Sequence, residues 1–264
     1  MIRHENFPSS YVASRHIDVW LPPGYEDAAG HHYPVLYMHD GQNCFNAGES
    51  SMGVAWDVQH ALARLIESGE AKAAIIVGIW NLHMLRYPEY RPAKPFHYLS
   101  KTAQTRILAG LGGTPMSDEY LSFIVSELKP FIDATYRTSP DRHNTCIMGS
   151  SMGGLISLYA VCEYPEVFGG AGCVSTHWPA VEGVIIPYLK AHLPDPATHC
   201  LYFDYGNETL DALYAPLQAE TDKVMAAAGY SHGENWLTLA FPGTNHSEVA
   251  WQDRVRIPLQ FLLR

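Results

Sequence analysis

Two serines stand side by side between glycines in the segment CIMGSSMGGL, residues 146–155. A serine hydroxyl that attacks an ester must stand at the tip of a sharp strand-to-helix turn, where only glycines fit around it. The pattern for that turn is Gly-x-Ser-x-Gly. Here it falls on Gly149-Ser150-Ser151-Met152-Gly153 and centres on Ser151. Centring it on Ser150 would need a glycine at Met148, so Ser151 is the candidate nucleophile. A pattern this short recurs by chance, and its setting has to decide. Upstream, NTCIMG is a short apolar run suited to a buried parallel strand. Downstream, MGGLISLYAVCEYP carries apolar residues at Leu155, Ile156, Leu158, Tyr159 and Val161 and stops before Pro165, as a helix would.

A serine hydroxyl is inert at neutral pH unless a base takes its proton and an acid orients the base. In an open α/β sheet such groups gather beyond the carboxyl ends of the strands. Five of the fourteen histidines follow the serine: His177, His192, His199, His232 and His246. His199 begins an expected strand, His232 leads into one, and His192 lies in a proline-rich connection before one. His246, in LAFPGTNHSEVAW, leaves the last expected strand at its C-terminal end and is the candidate base. His177, in VSTHW, also follows a strand end; it is expected to line the pocket beside Trp178.

For the acid, the loop after LYFDYG offers Glu208 and Asp211, with Asp204 inside the strand. Asp211 is preferred and Glu208 is the alternative; Asp211 could equally cap the following helix. An oxyanion formed on the attacked carbonyl needs two donors. The backbone N–H of Met152 is one, and Gly41 or Gln42, after the strand ending in MHDG, is expected to supply the other.

These groups need a scaffold. Apolar runs alternate with helical patterns along the chain. HIDVWLPPGY opens as a strand, and YPVLYMHDG (33–41) and AAIIVGIWN (73–81) are short and β-rich. GGAGCVS, HCLYFDYG and NWLTLAFPG follow the serine turn as further strands. Helical spacing runs from Val54 to Ile66, over 117–136 with Ser117 as N-cap and a kink at Pro130, over about 212–228, and over about 247–262. The alternation implies an α/β fold, a mostly parallel sheet with helices on both faces. At 264 residues the chain can bury a full core as a single domain.

Composition narrows the function. The 47% hydrophobic and 17% charged residues describe a globular protein. A net charge of −10 without a basic run excludes nucleic acid and anionic membrane surfaces as expected partners. No apolar stretch is long enough to cross a bilayer, and the N-terminus lacks the apolar core of a secretory signal. Five cysteines without paired spacing suit free thiols in a reducing cytoplasm. No metal is expected: there is no His-Glu-x-x-His, and His31-His32 sits in a loop without partner ligands. The serine chemistry needs no cofactor. An oligomer is compatible with the sequence but not required by it.

With these residues in hand, the chain resembles the esterase family that includes esterase D, feruloyl esterases, siderophore esterases and mycolyltransferases. The likeness spans YPVLYMHDGQN, IIVGIWN, ELKPFIDATYRT, IMGSSMGGLISLYAVCEYPEVFGGAGCVS, FDYGNETLD and NHSEVAW. It implies an α/β-hydrolase fold and a Ser-acid-His triad carried onto Ser151 and His246. The segment Gly206…Asp211-Ala212-Leu213 matches the family's acid with a longer gap, which favours Asp211 and keeps Glu208 in play. The expected activity is that of a serine carboxylesterase acting on a small or mid-sized acyl ester. Acyl transfer or thioester hydrolysis by the same triad is the alternative, and a non-catalytic binding protein is a third reading. Residues 82–116 depart from the family in being long, aromatic and proline-rich, and they read as a cap over the site. Within them Arg86, Tyr87, Tyr90 and Arg91 are candidate substrate contacts, with positive charge suited to a carboxylate or catecholate. Trp56 and Asn81 join them, with His177 and Trp178, as expected pocket residues.

Overall fold

The computed structural model describes residues 1–110, 113–181 and 183–264. Eight strands form one sheet: β1 (Ile2–Phe7), β2 (Arg15–Trp20), β3 (Val35–His39), β4 (Ile75–Ile79), β5 (Thr145–Ser150), β6 (Gly170–Val174), β7 (Cys200–Gly206) and β8 (Trp236–Phe241). Their order across the sheet is β1-β2-β4-β3-β5-β6-β7-β8. β1 and β2 run antiparallel to their neighbours, and every pair from β4 to β8 is parallel. The helices are α1 (Val58–Glu67), α2 (Arg86–Tyr90), α3 (Ala93–Phe96), α4 (Lys101–Gly110), α5 (Ser117–Phe123), α6 (Lys129–Thr135), α7 (Met152–Glu163), α8 (Ile185–His192), α9 (Ala215–Ala227), α10 (Glu248–Arg254) and α11 (Arg256–Leu262).

The central strands are apolar along their whole length because both of their faces are covered. Successive side chains point to opposite faces. Tyr37, Val77 and Ile147 therefore pack on one side with Leu121, Ile124 and Leu155 of the α5–α7 layer. Leu36, Ile76 and Met148 pack on the other with Leu62 of α1 and Leu259 and Leu262 of α11.

Several expected boundaries moved, each for a local reason. The helix expected over 117–136 is interrupted by a π turn at Ile124–Leu128, just before Pro130, which has no N–H to continue the ladder. Ser117 does not cap it. The Ser117 hydroxyl instead accepts the N–H of Ala93 at 2.9 Å, and so satisfies the start of α3. The helix expected over 212–228 begins as a tight turn, Thr209–Leu213, before α9. The closing helix breaks at Val255, and Pro258 falls in the first turn of α11, where no N–H is required. β1 had no apolar signal because it is a half-exposed edge strand. Its Arg3 pairs with Asp18 and Glu49.

The parallel pairing sets the strand ends level. Ser150 lies opposite Val174, Val174 opposite Asp204, and Gly206 opposite Phe241. The loops that leave β3 to β8 therefore open on one edge of the sheet, where ligands bind in folds of this class. No helix among the described residues is long and apolar enough to cross a membrane.

Candidate active site

Ser151 sits between β5 and α7 with φ 59° and ψ −119°, a conformation that costs a non-glycine residue about 1–3 kcal/mol. The glycines around it explain how the turn closes. A Cβ on Gly149 would lie 2.8 Å from the carbonyl carbon of Gly153, so the two glycines of the pattern pack on each other directly. A Cβ on Gly154 would lie 3.1 Å from the Val174 carbonyl oxygen of the neighbouring strand. The turn is also pinned by hydrogen bonds: Ser151 N donates to Val174 O at 2.9 Å, and His177 N donates to Ser151 O at 3.1 Å.

His246 follows β8, and its backbone N–H donates to Thr209 Oγ1 at 2.9 Å. Its ring Nδ1 lies 2.5 Å from Asp211 Oδ1. A carboxylate only accepts, so the proton belongs on Nδ1 and Nε2 is left free to accept another. The other oxygen of Asp211 accepts from Gly206 N and from Ser175 Oγ, each at 2.7 Å. Burial works against this charge, but the His246, Gly206 and Ser175 donors outweigh it, and the Asp211 carboxyl is held below its ordinary range. Ser175 is itself held, accepting from Trp251 Nε1 at 3.0 Å and Arg254 Nη2 at 2.8 Å. The Trp251 ring meets the His246 ring edge-on, 4.9 Å between centroids.

Of the carboxylates weighed as the acid, Asp211 is therefore the one that meets His246. Glu208 stands exposed at the entry to the Thr209–Leu213 turn. Asp204 points into the sheet edge, paired with Arg254 at 2.9 Å and accepting from the Tyr202 hydroxyl at 2.8 Å. Burial raises its pKa despite these partners.

His177 stands beside the pair, its ring centroid 6.5 Å from that of His246. Its Nδ1 is 2.7 Å from the hydroxyl of Tyr214. Burial, followed by the neighbouring His246 and Arg86, lowers its pKa to about 4, so at neutral pH it is uncharged. Burial and the Asp211 charge raise the pKa of the Tyr214 phenol, and a hydrogen bond with the Ser151 side chain opposes that rise.

Met152 opens α7, so its N–H has no acceptor within the helix. Gly41 and Gln42 open the short turn Gly41–Asn43 after β3, and their N–H groups likewise lie at its unpaired end. Gly41 needs to be glycine: a Cβ there would lie 2.5 Å from the carbonyl carbon of Gly78 on β4. The Gln42 side chain faces sideways, its Oε1 accepting the N–H of Asn81 at 3.1 Å.

A cleft of about 550 Å³ opens over these groups. Ser151, His246 and Trp251 line it, together with Asp40, Asn43 and Asn81. Ser51 and Met52 join from the loop before α1, and His83, Met84 and Arg86 from the segment after β4. Asn81 and Arg86 thus lie where the sequence placed them, in the cleft. Trp56, Tyr90 and Trp178 do not, and the expectation of substrate contact is corrected for all three; Tyr87 and His177, also expected in the pocket, are not among the residues that line the cleft. Trp56 packs in the core against Trp251, 5.7 Å between rings. Trp178 has no exposed surface and stacks on Phe203. Tyr90 is equally buried, its hydroxyl accepting the Asp40 N–H at 3.3 Å. Arg91 is buried too, donating to the Gly113 carbonyl at 3.1 Å. Aromatic and cationic residues in a long segment read as ligand contacts, but here Tyr90, Arg91 and Phe96 are buried. The sequence does not single out Ser175, Tyr214, Arg254 or the methionines of the cleft. Ser175 carried a usable signal, since it follows directly on the C-terminal end of β6.

Residues 9–261 match the family model described as "Putative esterase". The chain belongs to this esterase family. It is 29% identical over 200 residues to the uncharacterized protein YbbA of Bacillus subtilis, covering 75% of this chain and 70% of that one. It is 25% identical over 240 residues to an endo-1,4-beta-xylanase/feruloyl esterase of Xylanibacter ruminicola. That match takes in 89% of this chain but 27% of the larger protein. The solved structure of a ferulic acid esterase superposes with a TM-score of 0.72 at 20% identity, covering 99% of this chain and 97% of that one. The shared architecture is the α/β-hydrolase fold.

Proposed function

We propose that this esterase is a serine carboxylesterase in which Ser151, His246 and Asp211 act as a triad. The observation that carries the reading is the Asp211–His246 contact at the same sheet edge as the strained turn of Ser151. In this reading Ser151 Oγ attacks the ester carbonyl as its proton passes to His246 Nε2. The oxyanion is met by the N–H of Met152 and by that of Gly41 or Gln42. Collapse expels the alcohol, protonated by His246, and leaves an acyl group on Ser151. Water, activated by the same imidazole, then releases the acid. Asp211 keeps the proton on Nδ1 throughout and stabilises the imidazolium that forms.

Residues 82–116, of which 111 and 112 lie outside the described residues, act in this reading as a cap, supported by the three cleft residues His83, Met84 and Arg86. Met52 and Met84 are largely exposed there and offer flexible apolar surface to an acyl or alcohol group. The relatives named for feruloyl ester cleavage make aromatic acyl esters the first to try, beside acetyl and butyryl esters. The five free thiols fit a reducing compartment such as the cytoplasm.

The test is ester hydrolysis by Ser151→Ala and Ser150→Ala. We expect the first to abolish turnover and the second to retain most of it, because only Ser151 occupies the turn. Equal losses would remove the assignment.

A further inference from the structure

Arg86 and Asp40 hold each other in the wall of the cleft. Arg86 Nε donates to Asp40 Oδ1 at 2.8 Å and Nη2 donates to Oδ2 at 2.7 Å, a two-point contact. Asn81 Nδ2 adds a third bond, to Oδ1, at 2.7 Å. Arg86 Nη2 also reaches the carbonyl oxygen of Ser150, the residue before the nucleophile turn, at 3.5 Å. Asp40 directly precedes Gly41 and takes a left-handed conformation, φ 58° and ψ 47°, which a non-glycine residue keeps only where its surroundings hold it. Gly41 in turn rests on the backbone of Gly78. The helix that carries Arg86 is itself anchored. Glu89 forms a fully buried pair with Arg15 of β2, at 2.6 and 2.9 Å, and the Tyr90 hydroxyl accepts the Asp40 N–H.

We infer that Arg86 is a positioning residue that braces the two turns bearing the oxyanion donors, after β3 and after β5, and is not an anchor for an anionic substrate. The inference rests on the reading of Ser151 as nucleophile. Its guanidinium already matches a carboxylate in the geometry an anionic ligand would need. A carboxylate seeking that same Nε/Nη2 edge would have to displace Asp40 and strand a buried charge. Glu248 lines the same cleft, so its lining carries two carboxylates and one guanidinium. Burial opposes the Asp40 charge, but Arg86 and Asn81 outweigh it and hold the carboxyl below its ordinary range.

The two roles separate in a double-mutant cycle with Arg86→Gln, Asp40→Asn and the double variant. Turnover is measured on p-nitrophenyl acetate and on the carboxylate-bearing p-nitrophenyl hemisuccinate. A brace predicts that each single change lowers kcat about 10- to 100-fold on both esters, with KM moving less than about threefold. The double variant should be little worse than either single one, because the pair acts as a unit. Arg86→Lys, which keeps charge but not the fork, should fall between. Affinity for a phenylboronic acid, which forms a tetrahedral adduct on the serine, should fall in parallel with kcat. An anchor predicts the opposite pattern: Arg86→Gln raises KM for the hemisuccinate alone, and Asp40→Asn lowers it by freeing the cation. That pattern would overturn the brace, as would unchanged kcat in Arg86→Gln and Arg86→Lys with only a lowered melting temperature. If the unaltered enzyme lacks a reactive Ser151 towards a fluorophosphonate, the failure lies with the nucleophile. If Ser151 reacts and kcat survives both changes, it lies with the brace.

Discussion

Asp211 keeps its charge in a buried position because three donors converge on it, and one of them belongs to His246, the proposed base. Loss of that charge should leave the imidazole in the wrong tautomer and lower kcat by up to about four orders of magnitude, with little change in KM. Asp211→Asn is therefore expected to be nearly inactive but folded, and Glu208→Gln close to normal. Steady-state kinetics with melting temperatures on both variants would decide it, and the reverse ranking would move the acid to Glu208. At this scale the sequence was most informative about residues tied to a local pattern. Ser151 was marked by Gly149 and Gly153, and His246 by its place after the last strand. Tyr214 and Arg254 are not visible there, because their partners lie 37 and 79 residues away, in His177 and Ser175 respectively. No local pattern records such contacts.

The turns at the ends of β3 and β5 depend on backbone approaches that exclude a side chain. Gly149→Ala would place a Cβ 2.8 Å from the Gly153 backbone, against atoms that are not the far end of a flexible side chain. It should reduce both activity and melting temperature, whereas Gly30→Ala, where a Cβ meets nothing within 4 Å, should alter neither. A Gly149→Ala enzyme with full turnover would show that the close packing of the turn is dispensable. Element types were legible from periodicity for seven of the strands and for the long helices. Boundaries were not, where proline or tertiary contact intervened. The π turn before Pro130 and the diversion of Ser117 to Ala93 are settled by packing partners, not by spacing. The same holds for the segment after β4. Its length sets it apart, but Tyr90 and Phe96 are held inward while Tyr98 is exposed, a division that spacing does not give.

Across the whole molecule, most of the buried groups that titrate in acid make stability rise with pH, and Asp204, whose pKa burial raises, opposes them. Burial lowers the pKa of His177 to about 4 and that of His39 to about 3, the ordinary value being near 6.5. Between those limits the unfolded chain binds more protons than the folded one, so stability rises with pH from about 3 to 6.5. Asp40 and Asp211, both held below the ordinary carboxylate range, add stability that is lost as pH falls through and below about 4. The melting temperature should therefore fall steadily on acidification from pH 7. Replacing His177 by Gln removes one contribution and should shrink the loss between pH 7 and 4.5 by roughly 3–8 °C. An unchanged slope in that variant would mean that His177 takes up its proton in the folded protein as readily as in the unfolded one.

The central claim, that Ser151 is the nucleophile of a triad completed by His246 and Asp211, is tested most directly by trapping the serine itself. The enzyme would be treated with a fluorophosphonate, digested and analysed by mass spectrometry. A single phosphonyl adduct is expected on the peptide containing residues 146–155, with fragment ions placing it on Ser151 and not Ser150. Labelling should become much slower in His246→Ala. An adduct on Ser150, or stoichiometric labelling at another serine while Ser151 stays unmodified, would contradict the account.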